Sequence, residues 1–267
     1  MRARGKLKHF YYSSPLFYRG SFPYYGHDLH FPRGSHLFVR ACEEGIYERE
    51  TVKLVTSLAR PGTTCIDVGA NLGLISIPVL EETQDVSVLS VEASPDTLKH
   101  LRATHAKSRH RDRWTIVGAA AGREPGQAGF WASSPENAAF DGFKDTGRGG
   151  SKTSVTVEVQ TLDSIWTSAG RPRVTVVKID VEGAEADVIA GAHALLAEER
   201  PALVIEWSQL NLPSYGREPE HLFVVCREIG YRIYGYPMLC EVGRAEILRA
   251  AMAQTETFLL LPSQAPS

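Results

Sequence analysis

The chain has 267 residues, 43% hydrophobic and 22% charged, with a formal net charge of −2, which fits one large domain with a small addition and excludes a global pull toward nucleic acid. Its four cysteines (Cys42, Cys65, Cys226 and Cys240) are far apart and form no Cys-x-x-Cys pair, so reduced thiols in a cytoplasmic protein are expected rather than a zinc or disulfide framework. No apolar run approaches the ~20 residues of a transmembrane helix, and no apolar signal core follows the basic N-terminus.

Residues 1–44 read as an aromatic, basic arm with a short hairpin, ahead of a main domain over 45–267. Nine aromatics fall in residues 1–36, with six Lys/Arg against one acid, Asp28. Such a segment suits a substrate mouth, stacking on sugars or peripheral contact with an anionic membrane surface, or simply covers part of the domain. His27–Phe31 and His36–Arg40 read as the hairpin, turning at Pro32-Arg33-Gly34-Ser35. His27, His30 and His36 lie near this arm and could approach a substrate. Residues 48–59 read as an amphipathic helix, with Val52, Val55 and Leu58 spaced three apart and Pro61-Gly62 as the stop.

Strands are then expected at 63–68, 86–91, 114–119, 174–179 and 202–206, with helices at 73–81, 95–106, 183–198 and 218–229. His193, in the third of these helices, is expected to pack. Alternating strands and helices imply βαβ crossovers and a parallel sheet. Tyr231–Tyr236 and Thr257–Leu261 complete it as an antiparallel pair. The expected fold is Rossmann-like and doubly wound: a mostly parallel seven-stranded sheet with an antiparallel C-terminal strand. Between the third and fourth main strands, 128–132 and 154–160 alternate as strands. The Gly/Ser/Asp/Asn-rich stretch between them, 133–152, is either a lid over the cofactor edge or a plain loop.

Three motifs carry chemistry. In the first, Cys65–Val68 ends in the turn Gly69-Ala70-Asn71-Leu72-Gly73, and the next strand ends in Glu92, followed by Ala93. Glycines here permit backbone shapes that a Cβ would block. A carboxylate at position 92 can accept from both ribose hydroxyls of an adenosine. A dinucleotide fingerprint would place glycine where Asn71 stands, and Asp67 sits poorly beside a phosphate. A cationic amino-acid tail suits it better, which favours S-adenosylmethionine over NAD. In the second, Lys178-Ile179-Asp180-Val181-Glu182-Gly183-Ala184-Glu185 closes the fourth strand. Lys178 lies two residues before Asp180, hence on the same strand face, and a buried lysine must be paired. The alternative is a structural ion-pair cluster capping the following helix. In the third, Glu206 ends the next strand, so Asp180, Glu182 and Glu206 could converge to hold a hard divalent cation such as magnesium, provide a general base, or pair with Arg or Lys.

These residues resemble the FkbM-type methyltransferases. The likeness lies in Asp67–Gly73, Glu92-Ala93-Ser94-Pro95, Leu162-Asp163-Ser164-Ile165, Lys178–Glu185 and Arg200-Pro201 leading into Glu206, and it covers roughly 45–261. It implies a class I S-adenosylmethionine-dependent methyltransferase fold. The activity implied is O-methylation of a hydroxyl on a sugar, glycolipid, polysaccharide or secondary metabolite. Carried over by position, Asp67, Gly69, Ala70, Asn71 and Gly73 surround the methionine part, Glu92 with Ala93 binds the ribose, and Ala119 and Ala120 flank the adenine. Asp180 sits beside the reacting methyl, and Glu48 matches the acid ahead of the family's first helix. Asp180, Glu182, Lys178 and Glu206 are the catalytic candidates. The expected partner is a small-molecule or glycan acceptor, not nucleic acid. An NAD-dependent oxidoreductase and a non-catalytic scaffold of the same fold are the alternatives.

Overall fold

The computed structural model describes residues 2–263. It opens with α1 (Arg2–Ser13), the hairpin β1 (Ser21–Tyr24) and β2 (His27–His30), α2 (His36–Glu44) and α3 (Arg49–Leu58). Then come β3 (Thr64–Val68), α4 (Ser76–Glu82), β4 (Ser87–Val91), α5 (Pro95–Lys107) and β5 (Trp114–Val117). A side sheet follows, from β6 (Ala120–Ala121), β7 (Gly126–Ser133) and β8 (Lys152–Gln160). The chain continues through α6 (Leu162–Ser168), β9 (Val174–Ile179), α7 (Glu185–Ala190), α8 (His193–Glu198) and β10 (Ala202–Glu206). It closes with α9 (His221–Ile229), β11 (Tyr231–Gly235), β12 (Cys240–Glu241), α10 (Ala245–Met252) and β13 (Thr257–Pro262).

The main sheet has the order β12-β11-β13-β10-β9-β3-β4-β5, eight strands against the seven expected; the eighth is the two-residue β12. β10, β9, β3, β4 and β5 pair in parallel, and β13 runs antiparallel between β10 and β11. The parallel strands are apolar on both faces because helices cover both. Leu203 and Ile205 of β10 face a core with Trp166, Ile189, Leu195 and Leu222, from α6 to α9. Ala202 and Val204, one residue out of phase, face a second core with Phe38, Val55, Ile77 and Leu101, from α2 to α5. That period-two split is the doubly wound architecture.

The hairpin is displaced from its expected position. Tyr25 and Gly26 both adopt positive φ, the shape a two-residue hairpin turn needs, so the strands pair across them. His36–Arg40 is helical: Ser35 Oγ caps α2 by accepting from the Phe38 amide at 3.4 Å, and Leu37, Phe38, Ala41 and Cys42 form one buried stripe. Helical spacing wins there because Phe38 stacks on Phe31 at 4.0 Å inside the second core. His27 does not approach the candidate active site. It meets Glu81 of α4, which also accepts from His110 at 2.6 Å and from Arg109, and this pins the hairpin to the domain.

The expected helix over 183–198 is two. A Cβ on Gly191 would lie 2.1 Å from the Gly122 carbonyl oxygen, so backbone approach breaks the helix there. Asp163 then caps α8, accepting from the Ala194 and Leu195 amides at 2.9 Å each. His193 at this new N-terminus is exposed rather than packed. Helix α10 escaped the sequence reading, and the start of the expected helix over 73–81 is a turn through Ile75. β7 and β8 cover the two expected strands and pair antiparallel. The stretch between them closes back on β7 through the Trp131–Gly142 bridge and through Asp141, which accepts from the Ser133 amide at 2.7 Å.

Candidate active site

The carboxyl ends of β3, β4, β9 and β10 open into a cavity of about 310 Å³. Its floor is the β3 turn. Gly69 has φ +74, and a Cβ there would sit 1.8 Å from the Asp180 carbonyl oxygen, so only glycine lets the β3 and β9 turns touch. Asn71, at φ 48, donates its amide to Glu92 Oε2 at 2.8 Å, while Ser94 donates to Glu92 Oε1 at 2.8 Å. Each Glu92 oxygen keeps a lone pair for a ligand. Burial pushes the Glu92 carboxyl up to about 7, against those two amides. Asn71 Oδ1 is buried with no hydrogen-bond partner among the described residues.

Ala93, Ala119, Ala120, Ala121, Phe130 and Phe143 form an apolar wall beyond Glu92. The 133–152 stretch supplies Ala138, Phe140, Asp141 and Arg148 to the same cavity. Burial raises the Asp141 carboxyl, against hydrogen bonds from Ser133 and Ser94. Two expected cofactor residues stand behind this lining. Asp67 is fully buried, accepts from Ser76 Oγ at 2.5 Å and lies 3.5 Å from Lys178 Nζ, so it fixes the wall from within. Gly73 faces inward, where a Cβ would meet Leu101 and Trp114 at 3.1 Å. Both serve packing beneath the cleft rather than its surface.

The second half of the site is a knot of charge. Lys178 Nζ is buried and reaches the Gly69 carbonyl at 3.1 Å, Asp180 Oδ2 at 3.2 Å and Asp67 Oδ1 at 3.5 Å. Burial alone would lower its ammonium, but the charges of Asp180, Asp67 and Glu48 outweigh that and hold it firmly protonated. Burial likewise pushes the Asp180 carboxyl up, yet Lys178 and a hydrogen bond from Glu206 leave it below the usual carboxylate range. Glu206 goes the other way. Burial and the Asp180 charge raise it well above its ordinary value. Two carboxyls this close resist both being charged.

Glu182, at φ 56, lies 3.2 Å from Arg148 Nη1 and accepts from Asn211 Nδ2 at 3.0 Å; burial and Asp180 raise it to about 8. Glu48 lines the same cavity and is raised by burial and by Asp180. Glu185 is structural. It accepts from the Val181 and Gly183 amides at 3.2 and 3.0 Å and fixes the turn that presents Asp180.

Asp180, Glu182 and Glu206 each place a carboxylate oxygen within 4.8 Å of the others, the spacing of a metal site. The donor set does not fit a hard cation. Arg148 lies 3.2 Å from Glu182 and Lys178 lies 3.2 Å from Asp180, so the protein's own cations already face two of the three carboxyls. A second cavity of about 420 Å³ meets the first at Glu48, Lys178, Asp180, Glu206 and Glu256. His36, expected near a substrate, lines the first cavity, while Glu256, Arg148 and Asp141 line these cavities without having been singled out as site residues in the sequence. No local motif marks them; the loop or turn carrying each is folded in by contacts far along the chain.

An eight-stranded, mostly parallel sheet with helices on both faces and a carboxylate ending its second parallel strand defines a class I methyltransferase fold. The model of the methyltransferase FkbM domain matches residues 67–233, so the chain belongs to that S-adenosylmethionine-dependent family. Among solved structures it is similar to a methyltransferase FkbM from Methylobacillus flagellatus (16% identity, TM-score 0.45). That match covers 84% of this chain and 54% of the other, so the chain spans about half that protein's length. It is also similar to a putative caffeoyl-CoA O-methyltransferase from Staphylococcus aureus (8%, TM-score 0.48, 86% and 93% covered). A third is a putative tRNA (m1A22) methyltransferase from Streptococcus pneumoniae in complex with S-adenosyl-L-methionine (10%, TM-score 0.43, 82% and 75% covered). No curated protein matches the chain.

Proposed function

We propose that the chain O-methylates a hydroxyl of a sugar, glycolipid, polysaccharide or secondary metabolite. The observation that carries this reading is the junction of the two cavities at the Asp180–Glu206 pair. The first cavity fits the cofactor. Glu92 offers two lone pairs to ribose hydroxyls, the alanine wall suits an adenine, and the unpartnered Asn71 Oδ1 suits the methionine ammonium. When bound there, S-adenosylmethionine would supply an electrophilic sulfonium methyl. The second cavity admits the acceptor.

A hydroxyl is a poor nucleophile while it keeps its proton. Asp180, ionised beside Lys178, accepts that proton as the acceptor oxygen commits its lone pair to the new carbon–oxygen bond. The methyl would leave the bound cofactor with the carbon–sulfur electron pair kept by sulfur. Glu206, raised well above the usual carboxylate range beside Asp180, keeps Asp180 oriented. Lys178 fixes Asp180 to the Gly69 turn, so base and cofactor floor move as one unit.

Asp180→Asn keeps the shape and removes the base. Turnover with S-adenosylmethionine and a panel of glycans and hydroxylated metabolites should fall by about 10²–10⁴-fold, while calorimetry shows cofactor affinity retained. Chelation of magnesium should leave the wild-type rate unchanged. Turnover of Asp180→Asn within a few fold of wild type would remove Asp180 from this role. Failure of the wild type to bind cofactor would point to a non-catalytic scaffold.

A further inference from the structure

We infer that the exposed face of α1, with the turn that follows it, docks on an anionic bilayer surface. One face of α1 is used inside the protein: His9 lies 6.0 Å from Phe38, and Tyr12 lies 6.2 Å from Phe38 and 6.4 Å from Phe22, ring centre to ring centre. The other face is apolar and uncovered. Leu7, Phe10 and Tyr11, at i, i+3 and i+4, are 70%, 69% and 50% exposed. Leu16 just beyond is 79% exposed, and Phe17 folds back to stack on Tyr11 at 4.8 Å, so helix and turn form one patch. Five large apolar side chains in 11 residues is more than scattered surface hydrophobicity.

Charge selects the occupant. The first 27 residues contain Arg2, Arg4, Lys6, Lys8 and Arg19 and no acid, in a chain whose net charge is −2. Lys8, on the side of α1 beside Tyr12 and Cys42, and Arg19, just after the turn, are both exposed. A second copy of the chain docked face to face would bring these like charges together. An anionic lipid surface offers what the patch lacks: headgroup phosphates for the cations and an acyl boundary for Leu and Phe, with aromatics at the level between. No helix of the described residues is long and apolar enough to cross a membrane, so α1 would lie in the interface.

The consequence for the enzyme rests on the proposed methylation, although the docking does not. α1 packs on α2, and α2 contributes His36, Leu37 and Arg40 to the cofactor cavity. A docked α1 therefore holds the cleft one helix away from the bilayer, suited to an acceptor carrying a lipid tail.

The test is sedimentation of the whole protein with phosphatidylcholine vesicles, with and without phosphatidylglycerol. Binding should require phosphatidylglycerol and weaken with salt. It should fall by about tenfold or more in both Phe10→Ser/Phe17→Ser and Lys8→Glu/Arg19→Glu, since insertion and charge are both needed. Melting temperature and S-adenosylmethionine affinity of these variants should match wild type, which separates loss of docking from loss of folding or of the methyltransferase reading. Absence of vesicle binding, equal binding to neutral vesicles, or variants that bind as wild type would each overturn the proposal. So would a dimer in light scattering that Phe10→Ser dissociates, since the face would then join two copies of this chain.

Discussion

Lys178→Met tests whether the buried lysine is the keystone of both halves of the site. Methionine matches its length without its charge. The substitution leaves Asp67, fully buried, with only Ser76 Oγ as a partner, and leaves Asp180 beside Glu48, Glu182 and Glu206 with only the weaker influence of Arg148 to offset them. Removing one partner of a buried ion pair costs about 3–5 kcal/mol. At about 2–4 °C per kcal/mol for a chain of this size, the melting temperature should fall by roughly 6–20 °C.

The sign with pH follows from the two shifts. Asp180, lowered in the folded state, contributes stability above its unfolded pKa and loses it as pH falls through the folded value. Lys178, raised, contributes stability below its unfolded pKa and loses it as pH rises through the folded value. Both contributions are complete near pH 7, so the deficit of Lys178→Met should be largest there and shrink as pH falls and the variant's Asp180, no longer held down by Lys178, takes up a proton before the wild type's does. Urea unfolding across pH 4–8, with methyl transfer measured alongside, reads both. The double variant Asp67→Asn/Lys178→Met should recover part of the lost stability, because one orphaned charge is gone. A single variant as stable as wild type at neutral pH, or a double variant no better than the single, would refute the keystone argument.

Two further predictions concern the cofactor cavity. On the proposed reading Glu92 accepts both ribose hydroxyls and is ionised to do so; burial raises it to about 7, so S-adenosylmethionine should bind about tenfold more weakly at pH 6 than at pH 8. Calorimetry on Glu92→Gln should show weaker binding and a flat pH profile; an unchanged profile would move the ribose contact elsewhere. Gly69→Ala should destabilise the protein by about 2 kcal/mol or more, from left-handed strain plus the 1.8 Å approach to the Asp180 carbonyl, with cofactor affinity lost in parallel. Denaturant melts indistinguishable from wild type would show that the two turns can separate without cost.

Local patterns in the sequence determined the strand–helix alternation, the glycine turn after β3 and the carboxylates at the ends of β4, β9 and β10. Each of these depends on spacing along a single segment: a two-residue period on a strand, or a carboxylate at a strand end. The same locality misplaced the hairpin, because Tyr25-Gly26 and Pro32–Ser35 are both plausible turns until Phe31 and Phe38 stack. It could not see the break at Gly191, which arises from the approach of Gly122, 69 residues earlier in the chain. Nor could it separate Asp67 and Gly73, which support the wall, from Glu92 and Asn71, which face the cavity. The opposite shifts of the acids were decided only by tertiary structure. Asp180 and Glu206 both end parallel strands, yet one is held below the usual carboxylate range and the other is raised well above it. That difference comes from Lys178 lying beside Asp180, and from a shared desolvated site in which two neighbouring carboxylates cannot both hold a charge.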